Sequence, residues 1–170
     1  VIEKYTFDIK SPKVDKKLIL VKSALELRSH VVLKLLSFVL YYDPGLRIET
    51  ELGMHYVPDL AIPGDHGIPR MWIDCGKIAV RKVDSLATKL KTTEIVIVKE
   101  TQRELEQFRR VIDKKVEHAD RIGYLAFEPE FVVGIANAIV KVNDFTLYEV
   151  KENVIGVALN DEIFESTLYR

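Results

Sequence analysis

The chain of 170 residues contains a single cysteine, Cys75, so no internal disulfide can form and no zinc ribbon can be built. That scarcity fits a reducing compartment. Long apolar runs are also missing. The most apolar window, 31–42, falls well short of the ~20 residues that a membrane-spanning helix needs. No signal-peptide pattern opens the sequence, because residues 1–8 alternate polar and apolar side chains. The expectation is a soluble, cytoplasmic protein that makes no membrane contact. Repeats, linkers and low-complexity segments are lacking too, which favours one domain over residues 1–170. Several chemistries find no foothold: Gly-x-Gly-x-x-Gly, the phosphate-binding Gly-x4-Gly-Lys-Ser/Thr, His-Glu-x-x-His and Gly-x-Ser-x-Gly do not occur.

What is present is a globular composition, 48% hydrophobic and 30% charged. Net charge is −1, which argues against strong nonspecific attraction to nucleic acid. The charges are unevenly spread. Residues 77–91 hold five bases (Lys77, Arg81, Lys82, Lys89, Lys91) against one acid, Asp84, whereas residues 128–170 hold eight acids against three bases. Phosphate would therefore be met on the first two-thirds of the chain. The acidic tail offers a protein-contact surface, including one for self-association into a homo-oligomer.

Periodicity predicts strands over 2–9 and 17–21, then a helix over 24–42 that stops at Asp43-Pro44-Gly45. Ser23 and Glu26 stand at capping-box spacing before it. Glu26, His30, Lys34, Ser37 and Tyr41 form one narrow polar stripe on an otherwise apolar helix. Strands follow at 46–52, 56–62 and 71–75, a helix at 79–90, an apolar strand at 94–98 and a charged helix at 101–115. A strand at 123–127, a helix at 129–142 and strands at 145–150, 154–159 and 163–169 complete the order. Strand–helix alternation in the middle implies a partly parallel sheet, and hairpins at both ends imply a mixed one.

Three acids and one lysine stand out: Glu26, Asp59 in Pro58-Asp59, Asp74 and Lys77 in Trp72-Ile73-Asp74-Cys75-Gly76-Lys77. Asp59 and Asp74 interrupt apolar stretches on successive strands joined by one loop. Burying such carboxylates unpaired costs several kcal/mol, so each needs a cation or a solvated cleft. Mg2+, or Mn2+ in its place, suits this donor set. Plainer roles exist for each residue: a capping acid for Glu26, a turn acid for Asp59, a surface position for Lys77. His30 reads as a polar-stripe residue, Trp72 as core and Cys75 as a small buried hydrophobe.

An acid on a first helix, then Pro-Asp, then Asp-x-x-Lys, a helix and a strand, resembles the PD-(D/E)XK nuclease superfamily. More narrowly, the chain resembles the YaeQ family, bacterial proteins of that fold. The similarity lies in 26–38, in Tyr42-Asp43 and Leu46, in 72–77, in the helix 81–87 and in the strand-rich tail; it is weakest over 52–69. The resemblance implies a restriction-endonuclease-like mixed β-sheet flanked by helices, with a strand-rich C-terminal part. It also implies a metal site of Glu26, Asp59 and Asp74, with Asp59, Asp74 and Lys77 as the catalytic set. The activity implied is Mg2+-dependent phosphodiester hydrolysis in DNA or RNA, with Lys77, Arg81, Lys82 and Lys89 meeting the nucleic acid. One departure stands out: the superfamily lysine lies two residues after the acid, where this chain has Gly76. Either a bulge at Gly76 returns Lys77 to the site, or Arg81 or Lys82 substitutes from the helix. If neither does, the chain is a nuclease-fold protein without catalysis, acting as a nucleic-acid-binding or protein-interaction module.

Overall fold

The computed structural model describes residues 1–170, and its contacts divide the chain into two compact units. The first comprises 1–42 and 127–169, the second 43–126 with Arg170. No helix is long and apolar enough to cross a membrane.

The first unit is built on strands β1 (Glu3–Lys10), β2 (Asp15–Lys22), β8 (Val142–Lys151), β9 (Val154–Leu159) and β10 (Glu162–Thr167), with helices α1 (Arg28–Leu40) and α4 (Phe131–Ala138). Its sheet runs β10-β9-β8-β1-β2. The two terminal hairpins are antiparallel, and β1 and β8 join them in parallel with Phe7 opposite Asn143. Alternate residues Tyr5, Phe7 and Ile9 turn inward with Leu20, Phe145, Leu147 and Val157, while Lys4, Asp8 and Lys10 face out. Asn153, in the left-handed region at φ 59°, turns β8 into β9 at the expected Glu152-Asn153.

Strands β3 (Arg47–Ile48), β4 (Leu60–Ile62), β5 (Met71–Cys75), β6 (Glu94–Thr101) and β7 (Ile122–Phe127) form the second sheet, in that order. Helices α2 (Val80–Lys89) and α3 (Gln102–Lys115) complete the set. Strands β3, β4 and β5 are antiparallel in succession, and β5 runs parallel to β6. The sheet centre is apolar on both faces: Trp72, Ile73, Ile95, Ile97 and Leu125 are fully buried, which is why 94–98 reads as an unbroken hydrophobic run. Thr101 caps α3, its hydroxyl accepting from the Glu104 N–H at 3.2 Å.

The order of elements is the one that periodicity predicts, but four details differ. One mixed sheet was expected and there are two, because the terminal hairpins pair with each other rather than extending the central strands. Helix α1 begins at Arg28, not 24: Ser23 N–H donates to the Glu26 carboxylate at 3.2 Å, but these residues form a separate turn, with Leu25 exposed. Strands over 46–52 and 56–62 shrink to 47–48 and 60–62. Glu49 and Gly53 take positive φ there, and Pro58 has no N–H to donate. Finally, α4 ends at Ala138 rather than 142, where the Asn143 side chain bonds both N–H and C=O of Val140 and the extended chain leads directly into β8.

Arg121 ties the second unit together after α2. Its guanidinium donates to the carbonyls of Ala87, Leu90 and Thr93, the last at 3.1 Å, satisfying carbonyls that the helix end leaves open. Arg121→Met keeps the aliphatic stem and removes all three bonds. Urea unfolding of this variant is expected to show a loss of about 2 kcal/mol. A loss below about 0.5 kcal/mol would show that water replaces the guanidinium without penalty.

Candidate functional site

The second unit gathers a compact polar cluster inside its apolar sheet. Asp74 lies mid-strand in β5, only 2% exposed. Register explains its neighbour: Leu60 pairs with Ile73 across β4 and β5, and one residue further on Asp59 stands opposite Asp74. The two acids are stitched to each other's strands. The Asp59 N–H donates to Asp74 Oδ1 at 3.3 Å, and the Cys75 N–H donates to Asp59 Oδ2 at 2.8 Å. Asp74 Oδ2 accepts from the Trp72 indole N–H at 3.0 Å and from the Lys82 ammonium at 2.9 Å.

Lys82 reaches Asp74 from the first turn of α2, whose opening turn contains no acid. Its ammonium lies 5.4 Å from the Tyr56 ring centroid and 5.8 Å from that of Trp72, so aromatic faces flank the cation. Burial pushes the Asp74 carboxyl above the usual carboxylate range. The Lys82 charge, the indole bond and the Lys82 hydrogen bond pull it down, while the Asp59 charge adds to the upward push. Burial prevails.

Lys77 does not join the pair. Gly76 occupies the step after Cys75 at φ +79°, its N–H donating to the Val98 carbonyl at 2.9 Å, and Lys77 beyond it is exposed. Left-handed backbone at this point suits glycine alone among the neighbours. Of the side chains weighed for this departure, it is Lys82, not Lys77, that contacts the acid. Arg81 and Lys89 are exposed on the same helix, eight residues and therefore about 12 Å apart.

Glu26 belongs to the first unit. Its carboxylate takes the fully buried Lys34 ammonium at 2.7 Å and His30 Nδ1 at 2.5 Å. Burial pushes its carboxyl upward, but the Lys34 hydrogen bond and charge, the Ser23 N–H and His30 outweigh that and hold it below the usual range. Glu26 is therefore the charge partner of its own helix stripe as well as the acid that half-completes a capping box. Neither unit contains a group of three or more His, Cys, Asp or Glu side chains arranged to hold a metal ion. Sequence reasoning took Trp72 for plain core and passed over its indole donor. A tryptophan two residues before a mid-strand acid, on the same face of the strand, is the signal that could have found it.

Fold and cluster together define a mixed α/β protein with two mixed sheets flanked by helices, holding a carboxylate pair (Asp74 buried, Asp59 half-buried) in which a helix lysine meets Asp74. The chain belongs to the YaeQ family: the family model described as YaeQ protein matches residues 14–168. Two solved structures are similar to it. The YaeQ protein from Xanthomonas axonopodis pv. citri superposes with a TM-score of 0.79 at 16% identity, covering 98% of this chain and 95% of that one. The YaeQ protein from Pseudomonas syringae gives a TM-score of 0.72 at 14% identity, covering 98% and 93%. At that identity the likeness carries the fold alone. Comparison with curated proteins gives no match.

The Asp74 balance has a pH signature. The folded chain holds the Asp74 proton more tightly than the unfolded chain does. Stability from this group is thus fully present below the unfolded carboxylate value and is lost as pH rises through the elevated folded one. Relative to Asp74→Asn, the wild type should therefore gain stability as pH falls from 7 towards about 4. Each tenfold difference in proton affinity is worth about 1.4 kcal/mol. Urea midpoints at a series of pH values check this. A wild type that instead loses stability relative to Asp74→Asn as pH falls would mean that the partners, not burial, govern Asp74, and a pH-independent difference would mean that the two cancel.

Proposed function

We propose that the chain is a PD-(D/E)XK-type, restriction-endonuclease-like protein whose Asp59–Asp74–Lys82 cluster serves divalent-metal-assisted hydrolysis of phosphodiester bonds in DNA or RNA. The observation that supports this is the cross-strand juxtaposition of two carboxylates with one lysine in contact. The donor set fits the ion: two hard oxygen-bearing groups on adjacent strands match what Mg2+ or Mn2+ takes from protein, the rest of its shell being water and phosphate oxygen. Asp59 and Asp74 would hold it. A divalent ion bound there supplies a water activated at neutral pH and neutralises charge on the scissile phosphate.

The chain's own residues do the remainder. Trp72 fixes the orientation of Asp74 through Oδ2, and the Asp59 N–H fixes it through Oδ1. Lys82 balances the Asp74 charge at rest and is the amine available to a phosphate oxygen or to the attacking water. Exposed Lys77, Arg81 and Lys89 provide cations for the nucleic-acid backbone. Glu26 is left outside this set, because its charge is met by Lys34 and His30.

One observation favours a second reading, a binding module without catalysis: both Asp74 oxygens are already engaged by protein donors, with Lys82 standing as the cation. A cleavage panel separates the two. With Mg2+ or Mn2+, at least one of single-stranded or duplex DNA or RNA should be cut. Asp74→Asn should abolish cutting in a folded protein, and Lys82→Met should slow it by about 100-fold, the scale of one lost electrostatic donor. If no substrate is cut and neither ion raises the melting temperature, the binding-module reading stands instead.

A further inference from the structure

Lys99 is a buried cation that the arrangement around Asp74 does not use. It is 7% exposed, and its ammonium donates to the Gly76 carbonyl at 2.5 Å while lying 4.1 Å from the Phe108 ring centroid. No carboxylate forms an ion pair with it. One carbonyl and one ring face leave a three-donor ammonium under-satisfied, and a charge so placed is costly. Were the position purely structural, a methionine or leucine would fill it at less cost.

Register shows what Lys99 stands beside. Strands β5 and β6 run parallel with Asp74 opposite Ile97 and Cys75 opposite Val98. The Gly76 N–H continues the ladder to the Val98 carbonyl, which brings Lys99 alongside Gly76. Residues two apart on a strand share a face, so Lys99 follows Ile97 on the face that Asp74 occupies, one step nearer the strand ends. Gly76 contributes no side chain there. Exposed Lys77 and Arg81 follow within five residues, so the chain around this sheet end is basic.

We infer that Lys99 binds an oxyanion, a phosphoryl oxygen of a nucleic-acid backbone, with the Gly76 carbonyl holding its ammonium in place until the anion takes the remaining donors. The choice of a phosphoryl group rests on the phosphodiesterase reading, while the presence of an anion site rests on the lysine. Desolvation holds the Lys99 amine below the usual lysine range, with Glu104 and Cys75 pulling it upward, as expected of an ammonium waiting for negative charge.

The test is calorimetric titration of the full-length chain with inorganic pyrophosphate, without divalent ions, for wild type, Lys99→Met and Lys99→Arg. Lys99→Met should weaken binding at least tenfold while melting at the wild-type temperature or above, and Lys99→Arg should restore affinity to within about threefold. Unchanged affinity in Lys99→Met, or no pyrophosphate binding by wild type at millimolar concentration, overturns the inference. So does a Lys99→Met that binds weakly only because it melts lower, since that marks Lys99 as a pin for the Gly76 turn. Should Lys99→Met not fold, NMR of wild type labelled with 13C-lysine decides. The Lys99 signal, identified by its absence in Lys99→Arg, must shift with pyrophosphate, and a stationary signal overturns the claim. Pyrophosphate binding is read without metal or cleavage, so a failed cleavage panel and a failed anion site remain distinct results.

Discussion

Everything at the sheet centre of the second unit depends on holding one negative charge, that of Asp74, where apolar side chains would otherwise close. A carboxylate at 2% exposure survives there because three donors meet it: an indole N–H, a backbone N–H and an ammonium. Each donor constrains something else. The Asp59 N–H fixes the end of β4 against β5, Trp72 becomes a positioned donor rather than filler, and Lys82 draws the first turn of α2 to the strand. Breaking one partner away from such a group is strongly destabilising, although an apolar replacement of the whole set would cost little. The cluster is thus dispensable for folding in principle. Its presence asks for a chemical reason.

The first unit meets the same physical difficulty with a different solution. Lys34, on a helix that is apolar around most of its circumference, is fully buried, and Glu26 reaches it from the turn before the helix. The opposite signs of the two acids' displacements follow from this. For Asp74 burial wins over its partners. For Glu26 the partners win over burial, so its contribution to stability is present above the ordinary carboxylate value and is lost as pH falls through the depressed one. Glu26 is a settled ion pair; Asp74 is an unsettled one.

Much of this was legible in the chain before any coordinates. The alternation of Tyr5, Phe7 and Ile9, the breaker Asp43-Pro44-Gly45 and the unbroken run at 94–98 announce their elements through side-chain period and backbone chemistry, which are local. Asp74 declared itself as an acid inside an apolar strand, and Asp59 as its counterpart across a loop. Pairing between distant strands is not local, and no period could reveal that β1 joins β8 and splits the strands into two sheets. Residues 49–52 and 56–59 misled for a related reason. Their alternation imitates a strand, but positive φ at Glu49 and Gly53 and a proline at 58 deny them a ladder. Lys77 was favoured because it follows the acid in sequence. Yet a strand sends successive side chains to opposite faces, whereas the first turn of a helix can return Lys82 to the acid's own side.

Three lysines withdrawn from water can be ranked by what compensates them. Lys34 is fully buried and has a carboxylate at 2.7 Å. Lys82 has a carboxylate at 2.9 Å and keeps 18% of its side chain exposed, so it can change partners. Lys99 has a carbonyl and a ring face. A fully matched ammonium gains nothing from an incoming anion, whereas one held by neutral groups gains the whole interaction in a medium of low dielectric. The weaker the resident partner, the larger the fraction of a lysine's electrostatic potential that is left for a ligand. By that measure Lys99 is better placed than Lys82 to bind an anion, and Lys82 better placed to exchange with a cation at Asp74. Two amines on one sheet face would then divide the tasks of charge balance and phosphate binding.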